Sequence, residues 1–206
     1  MLVKIDLNDE NAREMHHILM SIIAPRPIAW VSTVSEDGVY NLAPFSAFCV
    51  MSVNPAIVGF NSAAFRDGRK KDTFMNIEST GEYVINMVDE SLAEAMNVTS
   101  ASFPPEIDEF QEAGLMPVKA DLVKAPMVGE SPVSLECRLR QILKFGEEPM
   151  TNNFIIGDVL LIHVKDEYYI NEEINASALK LIGRLGGRRI DRYCRTTDSF
   201  EMQRPV

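Results

Sequence analysis

Apolar positions along this 206-residue chain recur mostly with the two-residue period of strands rather than the 3.6-residue period of helices. Residues 28–35, IAWVSTVS, mix β-branched and aromatic residues with small polar ones. Glu36-Asp37-Gly38 supplies a turn before VYNLAPFS resumes, which predicts a hairpin. AIVGFN (56–61), after Asn54-Pro55, and EYVIN (82–86), after Gly81, predict two short buried strands. Further on, SLECRLRQILKF (134–145) alternates as a strand with one wet face does, whereas FIIGDVLLIHV (154–164) is almost continuously apolar and predicts a strand buried on both faces. Helical patterns are short. Asp72 can cap one running from Thr73 to Glu78, Ser91 with Glu94 forms a capping box for a second, and residues 102–117, with prolines at both ends, predict a short helix flanked by ordered loop.

Strands therefore outnumber helices, their links are hairpin-like, and no GxGxxG follows a first strand in a βαβ alternation. The pattern predicts a mainly β fold, a small antiparallel barrel with flanking helices. Neither an internal repeat nor a linker divides the chain, so a single domain over 1–206 is expected.

Composition refines this. An apolar content of 46% fills a sizeable core, and no run reaches the ~18 uncharged apolar residues of a membrane-spanning helix. The start, MLVKIDLNDENAREMHH, puts acids and histidines where a signal peptide needs an apolar stretch, so a cytoplasmic protein is expected. A net charge of −10 argues against nucleic acid or anionic membrane as a partner. Against that acidic background stand two basic islands, Arg66 to Lys71 (RDGRKK) and Arg184 to Arg195 (RLGGRRIDRYCR). Such islands suit either a small anionic ligand or a solvated loop and tail. Cys49, Cys137 and Cys194 are scattered and fit core or surface thiols, and adjacent His16 and His17 would diverge on a helix, so no metal site is expected.

Familiar catalytic strings are missing: no GxSxG, no GxxxxGK[ST] and no HExxH. No catalytic side chain can be named. Two segments do stand out. Pro25-Arg26-Pro27 carries one positive charge between two rings that restrict the backbone. Asn41-Leu42-Ala43-Pro44-Phe45-Ser46 places a proline inside a strand, which leaves neighbouring backbone groups free for a planar heterocycle or marks an edge strand with a bulge.

Taken in order, RPIAWVST (26–33), NLAPFS (41–46), SVNP (52–55), KDT (71–73) and GEYVIN (81–86) resemble the flavin reductase-like family of FMN-binding split barrels. TSASFPPEIDEFQEAGL (99–115), ESPVSLEC (130–137) and RLGG (184–187) resemble the branch that includes nitrilotriacetate monooxygenase component B. The resemblance implies a six-stranded, Greek-key-like split β-barrel that forms a homodimer, holds FMN near the subunit interface, and takes electrons from NAD(P)H. It implies a flavin-dependent monooxygenase as a partner, with a non-enzymatic FMN electron carrier or a barrel for another small ligand as alternatives. It further implies that backbone groups of Asn41, Leu42, Ala43, Pro44, Phe45 and Ser46 meet the flavin ring, with Phe45 or Trp30 as apolar cover. The phosphate would fall to hydroxyls of Ser32, Thr33, Ser62 and Thr73 and to the charge of Lys71, with Asn61 beside them. Phe103-Pro104-Pro105 forms a wall of the site or serves packing alone, and the second basic island meets NAD(P)H phosphates or a partner subunit, or is an exposed tail.

Overall fold

The computed structural model describes every residue except 1, 7–11, 66, 148–150, 188, 189 and 206. After helix α1 (Ala12–Ile22) come strands β1 (Ala29–Val34), β2 (Tyr40–Phe45), β3 (Phe48–Val53) and β4 (Ala56–Ala63), helix α2 (Asp72–Thr80) and strand β5 (Glu82–Asn86). Two short helices, α3 (Ala93–Val98) and α4 (Glu109–Glu112), precede the small pair β6 (Pro117–Val118) and β7 (Met127–Val128). Two long strands follow, β8 (Val133–Phe145) and β9 (Asn152–Val164), then the short pairs β10 (Tyr169–Ile170) with β11 (Glu173–Ile174) and β12 (Ile182–Arg184) with β13 (Tyr193–Arg195).

Seven strands form one antiparallel sheet in the order β2-β1-β5-β8-β9-β4-β3. Its two edges, β2 and β3, are separated in the chain only by Ser46 and Ala47. The sheet must therefore curl until its edges approach. Across the seam the Asn61 N–H donates to the Ala47 carbonyl at 2.9 Å, and Phe45 meets Phe60 with ring centroids 5.0 Å apart. Seven strands rather than six result because Ser46 and Ala47 interrupt the run, leaving its second half to pair with β4 alone.

Alternation along β1 explains why it reads as apolar throughout. Ala29 and Val31 join the barrel interior with Phe45, Phe60, Phe74, Ile77, Tyr83, Ile85, Cys137 and Ile155. Ile28 and Trp30 join a second core, outside the barrel, with Leu42, Val88, Leu92, Met96, Phe110 and Ile182. Both faces are covered, so period two disappears from the sequence.

The structure corrects several local expectations. The N-cap of α2 is Lys71, with Asp72 as the first helical residue, while Gly81 closes the helix at φ 71 with its N–H on the Ile77 carbonyl at 2.9 Å. Near Ser91 the cap is Asp89, whose carboxylate accepts from the Leu92 N–H at 3.1 Å and the Ser91 hydroxyl at 2.7 Å. Strand β9 is not buried on both faces: its C-terminal half is only partly covered and Ile162 is exposed. Phe74 and Val88 lie in the cores, while Met75 on α2 is exposed. The exposed apolar row is β3, where Val50, Met51 and Val53 are 69%, 48% and 86% accessible. No described helix is long and apolar enough to cross a membrane.

Candidate functional site

Helix α2 plugs one end of the barrel, inserting Phe74 and Ile77 among the interior side chains. Its first turn begins at Asp72, with Lys71 at the cap position. Lys71 offers the helix no side-chain acceptor, so the positive end of the dipole is uncompensated there by a cap. The Lys71 ammonium lies over the rings of Phe45 and Phe65, at 5.5 and 5.3 Å from their centroids. Among the described residues it has no carboxylate within ion-pairing distance, and burial pushes its pKa down.

Around this cation the buried polar groups are poised to donate. Asn41 Nδ2 donates to Thr33 Oγ1 at 3.2 Å and to Thr73 Oγ1 at 2.9 Å, and Asn76 Nδ2 donates to Thr33 Oγ1 at 3.0 Å. Both threonine oxygens thus serve as acceptors, which leaves their hydroxyl protons for another partner. Ser62, on β4 shortly before the loop that leads to Lys71, is 1% exposed, and its Oγ has no hydrogen-bond partner among the described residues. Such an orphan is rare enough in a core to need a reason. A phosphate would supply acceptors for all three hydroxyls and a counter-charge for Lys71.

Strand parity separates the expected site residues into two groups. Asn41, Thr33, Thr73, Lys71, Phe45 and Ser62 belong to the barrel end, whereas Trp30 and Ser32 project to the opposite face of β1. Trp30 is wholly buried with its Nε1–H on Thr99 Oγ1 at 2.9 Å, so it presents no face to a ligand. The Ser32 hydroxyl donates to the Pro126 carbonyl and accepts from Asn86 Nδ2 at 3.1 Å. Asn61 is tied to the Asn152 Oδ1 at 3.3 Å. Phe103 is half-buried, with Pro104 and Pro105 exposed.

Along 41–46 the edge-strand reading holds in part. Every residue of β2 pairs with β1 in regular register, from Tyr40 opposite Val34 to Phe45 opposite Ala29, with no bulge. Because Leu42 turns its N–H outward, Pro44 two residues on lacks its N–H on that same outward side and removes nothing from the ladder. The Leu42 N–H is not free: it donates to Glu109 Oε2 at 3.0 Å. Glu109 was not visible as a site residue in the sequence, where it is one of 30 acids. It is 6% exposed. Burial pushes its carboxyl up, the Leu42 N–H pulls it back, and nearby Asp72 and Asp108 push it up again, to about 7. Ser46 and Ala43 are half-buried at the seam between the edges.

A family model described as "flavin reductase like domain" matches residues 20–176. The chain belongs to the flavin reductase-like family. A protein of Aquifex aeolicus is 40% identical over 84% of this chain and 87% of its own length. Among solved structures, nitrilotriacetate monooxygenase component B from Bacillus cereus is similar at 32% identity and TM-score 0.92, over 98% of this chain and 99% of that one. A Shewanella frigidimarina flavin reductase with a split barrel domain is similar at 26% identity and TM-score 0.81, over 97% of this chain and 96% of that one. The expected fold class, a mainly β split barrel, is the one observed.

Elsewhere in this flavin reductase-like chain, polar groups that looked like ligand candidates serve the fold. Arg26 is buried, and its guanidinium donates to the carbonyls of Met20, Ile23 and Leu185, binding the end of α1 to the C-terminal segment. In the second island Arg184 pairs with Asp191 at 2.7 Å and Arg195 with Glu90 at 2.5 Å, while Arg188 and Arg189 lie outside the described residues, as does Arg66 of the first island. Gly186 and Gly187 do permit close approach, but to the chain itself: a Cβ would meet Ser21 Cα at 2.9 Å and the Ile190 carbonyl oxygen at 2.1 Å. Asp121, Glu136 and His163 bring possible metal ligands within 4.8 Å of one another. Glu136 is already satisfied, accepting from the N–H groups of Asp121, Leu122 and Val123 at 2.9, 2.6 and 3.0 Å and facing His163 Nε2 at 2.6 Å.

Proposed function

We propose that this chain is an FMN-binding, NAD(P)H-dependent flavin reductase that acts as a cytoplasmic homodimer, folded as one domain over 1–206, and supplies reduced flavin to a partner monooxygenase. The observation that carries the reading is the cluster at the start of α2: a half-buried Lys71 with no ion-pair partner among the described residues, the hydroxyls of Thr33 and Thr73, and the Ser62 hydroxyl, which has no hydrogen-bond partner among the described residues. A phosphate monoester carries about −1.5 to −2 charges at neutral pH, and on a chain of net −10 it needs local compensation of this kind.

Flavin, when bound, supplies the hydride acceptance and onward electron transfer of the reaction. The chain's own residues then have binding and orienting tasks. Lys71 balances the phosphate charge, Thr33, Thr73 and Ser62 donate to its oxygens, and the outward carbonyls of Leu42 and Pro44 present acceptors to a ring lying along that edge. Phe45 gives apolar cover from within the barrel. Support for the dimer comes from the apolar row on β3, which water would otherwise cover. Support for a monooxygenase partner comes from the likeness to the Bacillus cereus component B.

The test is to purify the protein, release any bound cofactor by heat, and identify it, then add NADH or NADPH without oxygen. Released FMN and rapid bleaching of the yellow colour are expected. FMN that does not bleach with either nucleotide would make the chain an electron carrier, and absence of flavin that cannot be restored by adding FMN would end the reading.

A further inference from the structure

Three groups able to ligate a metal converge on the barrel flank from separate parts of the chain: Asp121 from the loop that joins β6 to β7, Glu136 from β8 and His163 from β9. Strand register explains two of them. Ser134 lies opposite His163 and Glu136 opposite Leu161, so Glu136 and His163 are diagonal neighbours on one face of the sheet, with Val84 of β5 opposite Glu136. The loop covers that face by packing Ala120, Val123 and Ala125 on Val84 and Leu160, which sets Asp121 over the pair. A ligand atom from each of the three residues then lies within 4.8 Å of the other two. Glu136 is fully buried and fixed by the N–H groups of Asp121, Leu122 and Val123, His163 is half-buried, and Asp121 is exposed. Among the described residues no Lys or Arg pairs with either carboxylate, not even Lys119 or Lys124 of the same loop. Two acids thus meet with His163 as their one basic contact.

We propose that Asp121, Glu136 and His163 bind one divalent transition-metal ion of the zinc type, with water in the fourth position. The inference does not depend on the flavin reading. The donor set selects the class of metal: one imidazole with two carboxylates suits Zn2+, whereas Ca2+ and Mg2+ favour oxygen ligands alone and more of them. Three protein ligands with one open position is an arrangement that zinc adopts. Glu136 Oε1 and His163 Nε2, 2.6 Å apart, already aim lone pairs at a single point, which a proton occupies without metal. The ion takes that place, and the proton moves to His163 Nδ1 or to solvent. Metal–ligand bonds of about 2.0–2.2 Å set tetrahedral ligand atoms roughly 3.3 Å apart, so this contact opens by about 0.7 Å while the exposed Asp121 swings in. The second carboxylate is then balanced by the ion's charge, and the loop is clamped to the sheet by a coordinate bond as well as by the three N–H contacts to Glu136.

The experiment is calorimetric titration of the full chain, stripped of metal with EDTA and dialysed, with zinc chloride in a phosphate-free buffer near neutral pH. The proteins are the wild type, His163→Gln, Asp121→Asn and, as a control for the other two histidines, the double variant His16→Gln with His17→Gln. The wild type and the control should bind one Zn2+ per chain alike. H163Q and D121N should each weaken it by more than about 10-fold, the least that loss of even an outer-shell partner of a metal site costs. With Co2+ as the probe, the wild type should show the visible absorption of a four-coordinate site and H163Q should not. Zn2+ should also slow hydrogen exchange at the backbone N–H groups of Asp121, Leu122 and Val123 in the wild type. No binding by the wild type, unchanged affinity in either H163Q or D121N, or loss of binding in the His16 and His17 control overturns the proposal. Should H163Q not fold, D121N, which alters an exposed side chain, decides alone: full Zn2+ affinity there refutes the site.

Discussion

Two buried polar centres in this molecule are built from similar residues and differ in how fully they are satisfied. At the barrel flank, Glu136 on β8 accepts from three backbone N–H groups of residues 121–123 and contacts His163 on β9. At the barrel end, among the described residues, Lys71 lacks a counter-ion and the Ser62 hydroxyl lacks a hydrogen-bond partner, while outside the barrel Glu109 accepts from the Leu42 N–H against the pressure of two nearby acids. The first centre is complete and fastens a loop to the sheet. The second is left incomplete, and the proposed function assigns that gap to an anion.

The two carboxyls also titrate in opposite directions. Burial pushes the Glu136 carboxyl up, but His163 and the three backbone N–H groups outweigh it and hold it below the usual range. Its contribution to stability is present above a pH of about 4.5 and is lost as pH falls through its folded pKa. The Glu109 carboxyl is raised to about 7, so the stability associated with it is full below about 4.5 and is lost as pH rises through 7.

The comparison breaks most visibly at Glu136. Glu136→Ala should destabilise by about 3–5 kcal/mol, since it strands three backbone donors in the core; urea unfolding at pH 7 reads this directly, and a loss below 1 kcal/mol would mean that water replaces the carboxylate easily. Glu109→Gln should act with the opposite sign. At pH 8.5 the flavin-free variant should gain up to about 3 kcal/mol over the wild type, a gain that vanishes by pH 4.5, and a pH-independent difference in thermal midpoint would contradict the assignment. Least affected should be Ser62→Ala, within about 1 kcal/mol of wild type or slightly more stable without flavin, because the hydroxyl it removes has no partner. A larger loss would show that Ser62 is satisfied after all.

Much of the barrel was legible because its signals are local. The β1–β2 hairpin follows from β-branched runs around Glu36-Asp37-Gly38, and EYVIN coincides with β5 residue for residue. That Trp30 and Ser32 face away from the barrel interior is not legible in the sequence, because β1 is buried on both faces and the alternation that would show it is erased. The cap of α2 was misread for a related reason: KDT offers Asp72 as an acceptor, but the chain turns one residue earlier and leaves Lys71 at the cap position. Glu109 carries no sequence signal, since its partner Leu42 lies 67 residues away and only the packing of α4 against β2 unites them.

Lys71 bears the central claim, that the incomplete centre holds the phosphate of FMN. The deciding measurement is the dissociation constant of FMN and of riboflavin for the wild type and for Lys71→Ala, by flavin fluorescence quenching at fixed salt. Loss of one charge-assisted contact should weaken FMN by about 10- to 100-fold, and riboflavin, which lacks the phosphate, should bind both proteins alike. Equal weakening of the two ligands would contradict the account and place the phosphate elsewhere.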